Sequence, residues 1–200
     1  MTVLPMGSHE GRRPARYFPW VGLGFSLVAL GVAWTADRIG PAAGAADFIT
    51  GAMIVGAWAL LSGGLHWDGL ADSVDGIGVR GDAARRLAVM RESGIGAFGT
   101  LAMVLCVVAQ VSAIAGLLEA GTWWALAAAP VLGRLGAAAA LVWRRPARPD
   151  GLGARYATAE GPAGALVMTL PAAALVGLWY APAHAAIAGV GLVTALLVPG

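Results

Sequence analysis

The sequence predicts an all-α polytopic membrane protein, a bundle of about six transmembrane helices with an acidic helix or loop on the cytoplasmic side. Hydrophobic residues make up 58% of the 200 residues and charged residues only 12%, against about 45 to 50% and about 25% in soluble domains. The 30 glycines suit helices that approach one another closely in lipid. Composition and the spacing of long apolar stretches therefore favour a single integral-membrane domain over residues 1–200.

Long apolar stretches mark the predicted spans, because a membrane helix needs about 20 mostly apolar residues. The first stretch follows basic residues, and we interpret it as a retained anchor rather than a cleaved signal. The last two stretches adjoin each other and form either a tight hairpin or a poorly separated pair. The predicted spans are Phe18–Ala36, Phe48–Leu65, Gly99–Leu118, Thr122–Trp143, Ala163–Tyr180 and Pro182–Val198.

Arginine positions predict the orientation, because short cytoplasmic loops carry an excess of positive charge. All 13 basic residues are arginines, and all but Arg38 and Arg134 fall on one predicted side. The segments that contain them are the amino terminus (1–17), the loop 66–98 and the loop 144–162. We therefore expect these segments to be cytoplasmic. We expect the lipid bilayer, and no nucleic acid, as a partner.

The loop 66–98 opens with a cluster of carboxylates. Asp68, Asp72 and Asp75 are spaced i, i+4 and i+7, which places them within an arc of about 60° on one helical face. Neighbouring like charges repel, and a divalent cation is their natural partner. Carboxylate oxygens suit Mg²⁺ or Mn²⁺, and Mg²⁺ keeps water and substrate phosphates in its shell. The pattern predicts a metal site and a phosphate-bearing substrate, with a solvated acidic face as the alternative.

Three further features each have two interpretations. His66 lies two residues before Asp68, and it reaches the site only if the helix begins near Asp68, with that residue as its N-cap. Gly63 and Gly64 either allow the backbone to approach a ligand or serve helix packing. Arg134 lies inside an apolar stretch, where charge is costly. It either pairs with an aspartate or the substrate, or it has a structural role.

The segment Gly63–Gly76, with the sequence GGLHWDGLADSVDG, resembles the signature of the cobalamin synthase (adenosylcobinamide-GDP ribazoletransferase) family, G-G-x-H-x-D-G-L-A-D-x-x-D-G. The stretch Arg85–Gly99 is similar to the family's basic segment, which ends in I-M-(K/R)-D-S-R-x-G-x-x-G. Arg134 and the loop Asp150–Gly153 fall where the family has an intramembrane arginine and an E-G-L-G loop. The resemblance therefore covers most of the chain.

Three departures from the family pattern accompany this resemblance. Glu92 stands where Asp is usual, and Gly94 replaces an arginine expected to contact phosphate. Family members also continue into a T-G-D loop and a further helix with carboxylates, whereas this sequence ends at Gly200. We therefore expect a shortened or divergent member of the family.

The resemblance implies a reaction in the cell inner membrane, with the active site facing the cytoplasm. The family joins adenosylcobinamide-GDP to α-ribazole or its 5′-phosphate, giving adenosylcobalamin or its 5′-phosphate and releasing GMP. These substrates are the implied partners, Mg²⁺ is the implied cofactor with Mn²⁺ as an alternative, and a homo-oligomer is left open. The implied catalytic residues are Asp68, Asp72, Asp75 and His66, with the aspartates as metal ligands. The implied substrate contacts are Gly63, Gly64, Arg85, Arg91, Ser93 and Arg134.

Two other functions are kept as alternatives. A CDP-alcohol-type phosphotransferase also gathers aspartates at a membrane surface, but the segment that contains Asp68, Asp72 and Asp75 does not show the D-G-x-x-A-R pattern of that class. A transporter or channel subunit would bind a permeant cation at its aspartates. The aspartates here lie between predicted spans and on the basic side, which argues against a site at the bilayer midplane.

Reporter fusions test the predicted orientation. We expect fusions to the amino terminus and after Arg91 to report the cytoplasmic side, because arginine-rich loops are retained there. A fusion after Glu119 should report the external side. An external signal after Arg91, or an internal signal after Glu119, would contradict the six-span orientation.

Overall fold

The structure, a computed structural model, describes residues 14–39, 45–92, 94–143, 146, 154, 156 and 162–179. Within these ranges the ordered elements are helical, and no strand occurs. A short 3₁₀ turn, Pro14–Tyr17, leads into the first helix. The helices are α1 (Phe18–Ile39), α2 (Ala45–Ser62), α3 (Leu65–Gly78), α4 (Ala83–Val89), α5 (Ala97–Glu119), α6 (Trp123–Trp143) and α7 (Pro162–Trp179).

Four of these helices, α1, α2, α5 and α6, are long and apolar enough to cross a membrane. They correspond to the first four predicted spans, so the predicted fold class, an all-α polytopic membrane protein, is confirmed. α7, with 18 residues, occupies the fifth predicted span. The sixth predicted span lies outside the described residues, and the count of six stays a prediction.

α5 shows how these helices meet their surroundings. It has the highest mean hydropathy of the four, 2.4, yet only 11% of its most apolar window is buried within the protein. Large apolar side chains such as Leu101, Leu105 and Val108 are exposed along it. Such a surface is costly in water, whereas lipid tails provide an apolar environment for it.

The helices fall into two compact units. The first contains the end of α1 from Gly31, followed by α2 to α5. The second contains the start of α1 up to Leu30, together with α6 and α7. This division does not test the prediction of a single integral-membrane domain, which stays a prediction.

In the first unit, α2 and α3 both pack on α5. A Cβ atom at Gly51 of α2 would lie 2.8 Å from the carbonyl oxygen of Val111 in α5, so glycine allows the two backbones to approach. α2 ends at a left-handed turn in which Gly63 has φ 61° and Gly64 has φ 71°. The Gly64 N–H donates to the Ala59 carbonyl at 2.9 Å, which closes the carboxyl end of α2. The chain then changes direction and enters α3.

In the second unit, α1 and α6 are in close contact. A Cβ atom at Gly22 would lie 2.7 Å from both the carbonyl oxygen of Pro130 and the Cα atom of Val131. The Ser26 hydroxyl donates to the Ala127 carbonyl of α6 at 2.5 Å. Small residues and interhelical hydrogen bonds of this kind are what hold helices together in lipid, where apolar burial provides little driving force.

Arg134 lies on α6 in the same unit, and only 7% of its surface is exposed. Its guanidinium carbon is 4.6 Å from the centroid of the Phe25 ring of α1, which is a cation–π arrangement. Charge inside an apolar span is costly, and the aromatic face offsets part of that cost. The structural interpretation of Arg134 thus has a defined partner, while its contact with substrate stays a prediction.

The α1–α6 contact can be tested with a pair of alanine substitutions on one helix. We expect Gly22→Ala to lower the free energy of unfolding by about 1 to 3 kcal/mol, because the added methyl group overpacks the contact. Gly24→Ala is the matched control, since a Cβ atom there meets nothing within 4 Å. Thermal unfolding in detergent measures both variants. Equal destabilisation by the two substitutions would contradict the close approach of α1 and α6.

A double-mutant cycle tests the contact between Arg134 and Phe25. We expect Arg134→Met and Phe25→Leu to show a coupling free energy of about 0.5 to 2 kcal/mol, because each removes one partner of the cation–π pair. Arg134→Lys should keep part of the coupling, since Lys retains the charge but lacks the planar guanidinium. Unfolding free energies in detergent provide the measurement. Strictly additive effects would show that contacts other than the one with Phe25 stabilise Arg134.

Candidate active site

α3 carries the aspartates of the signature segment. The helix begins at Leu65 after the N-cap residue Gly64, three residues before Asp68. Asp68 therefore lies in the first turn, where a carboxylate interacts favourably with the helix dipole. The condition under which His66 would reach the site, a helix that begins near Asp68 with that residue as its N-cap, is not met, because the left-handed glycine turn starts the helix earlier.

Asp68 and Asp72 both line an open cavity of about 420 Å³. The segment between α4 and α5 contributes Arg91 and Glu92 to the same cavity. Three carboxylates and one guanidinium therefore border this space, and negative charge is in excess. Excess negative charge favours the binding of a cation. The residues that line the cavity are Asp68, Ala71, Asp72, Met90, Arg91, Glu92, Gly94, Ile95 and Met103.

Asp75, the third aspartate of the cluster, does not line this cavity. It is buried, with 9% of its surface exposed. Its carboxylate accepts hydrogen bonds from the Gly96 N–H at 2.7 Å and from the Gly99 N–H at 2.8 Å. Charge-assisted hydrogen bonds of this kind are about twice as strong as neutral ones. The structure thus divides the cluster: two aspartates line the cavity and the third binds the start of α5.

His66, Gly63 and Gly64 lie at the start of the same segment. His66 is exposed and is not one of the cavity-lining residues. On the continuous helix it projects from a different face than Asp68. Gly64 has open space around it, so its positive φ, rather than close approach, requires glycine. The catalytic role of His66 and the substrate contacts of the two glycines stay predictions.

The basic residues predicted to contact substrate are separated in the structure. Arg91 lines the cavity, whereas Arg85 lies exposed on α4 and is not part of the lining. The backbone N–H of Arg85 donates to the N-cap residue Asp82 at 2.8 Å. Ser93 lies outside the described residues. Arg134 belongs to the second unit and was described there with α6.

The sequence predicts a bound divalent cation. The side chains around the cavity can be compared with the ligands that such a cation requires. In the described ranges, no group of three or more His, Cys, Asp or Glu side chains is arranged to hold a metal ion. Mg²⁺ usually takes only one or two protein carboxylates and completes its shell with water and substrate phosphates. Asp68 and Asp72, on successive turns of α3 and bordering one cavity, fit that requirement.

Glu92 lines the cavity, although no sequence pattern predicted it there. It was noted only as a departure from the Asp of the family pattern, yet it lines the cavity with its neighbour Arg91. The adjacent acidic and basic residues after α4 were the available signal. Met90, Ile95 and Met103 also line the cavity, and no local sequence pattern marks these apolar residues as part of a site.

Comparison with known proteins places these residues in a family. The model of the cobalamin-5-phosphate synthase family matches residues 1–199. The chain is 35% identical over 188 residues to the adenosylcobinamide-GDP ribazoletransferase of Roseiflexus sp. (strain RS-1), covering 88% of this chain and 67% of that relative. It is 42% identical over 172 residues to the protein of that name in Frankia casuarinae, covering 78% and 61%. No solved structure matches the chain.

The relatives are longer than this chain. It spans 74% of the ribazoletransferase of Bradyrhizobium diazoefficiens, to which it is 35% identical over 197 residues and 89% of its own length. It spans only 52% of the corresponding protein of Corynebacterium glutamicum. The family match nevertheless extends through all described helices. The chain therefore belongs to the cobalamin-5-phosphate synthase family, as the resemblance of its aspartate-rich segment predicted.

Proposed function

We propose that this chain carries the active site of a membrane transferase that joins adenosylcobinamide-GDP to α-ribazole or its 5′-phosphate and releases GMP. The observation that carries this proposal is the cavity bordered by Asp68, Asp72 and Arg91 in a chain of the cobalamin-5-phosphate synthase family. The names of the relatives support the choice of substrates. They give no support to a CDP-alcohol phosphotransferase or a cation transporter.

Asp68 and Asp72 are the proposed ligands of Mg²⁺, with Mn²⁺ as the alternative. Both residues border the cavity, and their like charges on successive helical turns repel in the absence of a cation. A bound divalent ion would supply positive charge for the pyrophosphate and for the leaving GMP. The excess of carboxylates over arginine in the cavity lining supports this assignment.

The reaction is a substitution at one phosphorus atom of the pyrophosphate. A ribose hydroxyl oxygen that is free in both α-ribazole and its 5′-phosphate forms a bond to the phosphorus that stays with the cobinamide, and the hydroxyl loses its proton. The bond from that phosphorus to the bridging oxygen breaks, and GMP leaves with this oxygen. Holding both substrates in one cavity reduces the entropic part of the barrier.

Arg91 and Glu92 are proposed to contact the substrates from the segment before α5. The guanidinium of Arg91 is suited to bidentate hydrogen bonds with phosphate oxygens. Glu92 is outside the proposed metal pair and borders the same cavity. It is therefore our candidate to accept the proton of an attacking hydroxyl group, with His66 as the alternative from the sequence.

The cavity is proposed to open toward the cytoplasm of a multi-pass protein in the inner membrane. Arg80, Arg85 and Arg86 are exposed on the segment around α4, which connects α3 with the start of α5. Positively charged loops are retained on the cytoplasmic side. This location also suits adenosylcobinamide-GDP, a phosphate-bearing substrate that cannot cross the bilayer unaided.

GMP release from adenosylcobinamide-GDP tests the proposed function. We expect Asp68→Asn and Asp72→Asn each to raise the Mg²⁺ concentration needed for half-maximal rate at least about tenfold, because each removes one ligand charge. The double variant should be little worse than either single variant, since the two carboxylates act as a unit. The measurement is the rate of GMP release by purified protein at increasing Mg²⁺.

Ser73→Ala is the matched control on the same helix. The Ser73 hydroxyl donates to the Gly69 carbonyl at 2.6 Å, and Ser73 does not line the cavity. We expect its rate and Mg²⁺ response to be those of the unaltered chain. Normal Mg²⁺ response of both aspartate variants in an active protein would overturn the proposed metal site. Absence of GMP release from the unaltered chain would overturn the proposed activity.

A further inference from the structure

The start of α5 lacks a cap of its own. Its N-cap residue is Gly96, which has no side chain to accept a hydrogen bond from the first turn. The first N–H groups of a helix have no partner within the helix and require an acceptor. Asp75 of α3 provides it, since its two carboxylate oxygens accept from the N–H groups of Gly96 and Gly99.

Two side chains usually share this task at the start of a helix. In a capping box, the N-cap side chain accepts from the N–H three residues later, and the side chain of that later residue accepts from the N-cap N–H. Gly96 and Gly99 occupy these two positions in α5. A single carboxylate from another helix therefore replaces both local caps. The cap of α5 is at the same time a bond between α3 and α5.

The glycines in this contact leave the space that the carboxylate occupies. A Cβ atom at Gly96 or at Gly99 would overlap the carboxylate of Asp75, and one at Gly99 would also lie 2.8 Å from the carbonyl oxygen of Ala71. On α3, a Cβ atom at Gly76 would lie 2.7 Å from the Cγ atom of Met90. The contact is thus built for close approach of α3 to the start of α5 and the segment before it.

The Asp75 contact lies between the two parts of the chain that form the cavity. Asp68 and Asp72 reach the cavity from α3, and Arg91 and Glu92 reach it from the segment that ends at the N-cap of α5. Asp75 is on the first of these elements and binds the second. Asp75 is buried, and each of its two carboxylate oxygens accepts a hydrogen bond from a backbone N–H of the second element.

We propose that Asp75 is a positioning residue, which sets the distance between the carboxylates of α3 and the Arg91 segment by capping α5 from α3. This inference rests on the proposed function, because it assigns Asp68 and Asp72 to the metal and Arg91 to the phosphates. It differs from the interpretation of Asp75 as a third metal ligand. Loss of a ligand weakens metal binding, whereas loss of positioning lowers turnover at saturating metal.

The experiment compares the unaltered chain with Asp75→Asn in three measurements. Hydrogen–deuterium exchange follows the amides at residues 96–100, electron paramagnetic resonance titration follows Mn²⁺ binding, and GMP release gives kcat and KM. Asn can accept from only one of the two N–H groups. We expect amide exchange in the first turn of α5 to accelerate at least about tenfold, as for the loss of one charge-assisted hydrogen bond.

For the same variant we expect kcat at saturating Mg²⁺ to fall at least about tenfold, because a small displacement of substrate-binding groups has a large effect on rate. The Kd for Mn²⁺ should stay within about threefold, in contrast to Asp68→Asn, for which it should rise at least about tenfold. Asp82→Asn is the matched control. It alters an Asp that caps a helix, α4, within its own segment, and all three measurements should be unchanged.

A second variant separates capping from the bond between helices. In Asp75→Ala/Gly96→Ser, the serine caps α5 locally, because the φ of −83° and ψ of 173° at Gly96 are usual for an N-cap serine. We expect amide protection in α5 to recover while kcat stays low. Recovery of both would overturn the proposal, because capping alone would then account for the role of Asp75.

Two further outcomes would also overturn the proposal. Weakened Mn²⁺ binding by Asp75→Asn with unchanged amide exchange would make Asp75 a metal ligand. Faster amide exchange with unchanged kcat would make it a structural residue without influence on the site. If the unaltered chain neither binds Mn²⁺ nor releases GMP, the proposed function fails. Amide exchange then still decides whether Asp75 joins the two helices.

Discussion

The hydrogen bonds from the Gly96 and Gly99 N–H groups to the Asp75 carboxylate are the constraint on which the candidate active site depends. A helix must satisfy its first N–H groups, and α5 begins with a glycine that offers no side-chain acceptor. The acceptor comes from α3, so the two helices have to be in contact for either to be fully hydrogen-bonded. That contact in turn places the aspartates of α3 and the segment before α5 around one cavity.

Glycine also allows close contact between helices elsewhere in the protein. Gly51 allows α2 to approach the backbone of α5, and Gly22 allows α1 to approach that of α6. Between helices in lipid, contact energy comes from van der Waals packing and hydrogen bonds rather than from the release of water. Close approach therefore contributes more to stability than large apolar side chains do. The high glycine content and the exposed apolar surface of α5 both suit a protein that is surrounded by lipid.

Much of the fold and part of the candidate site could be predicted from the sequence. Hydropathy located α1, α2, α5 and α6 because the length of a membrane helix is set by the bilayer. Helical periodicity placed Asp68 and Asp72 on one face, and both line the cavity. The end of the second span was predicted at Leu65 but lies at Ser62, because two left-handed glycines close α2 earlier than hydropathy indicates. Hydropathy does not report backbone conformation.

The different surroundings of Asp75 could not be predicted in this way. Periodicity tells which side chains share a face of their own helix, but not which other element packs against that face. The partners of Asp75 are 21 and 24 residues further along the chain, and they are backbone groups of glycines, which leave no charge pattern in the sequence. The place of Glu92 in the cavity was missed for a related reason, since the aspartates that share this cavity come from another helix.

Anomalous X-ray diffraction from crystals of the protein with Mn²⁺ would locate the bound ion and show which of the three aspartates coordinate it. We predict an anomalous peak within direct coordination distance, about 2.1 Å, of carboxylate oxygens of Asp68 and Asp72. The carboxylate of Asp75 should remain hydrogen-bonded to Gly96 and Gly99. An ion coordinated by Asp75, with those two hydrogen bonds broken, would contradict this prediction.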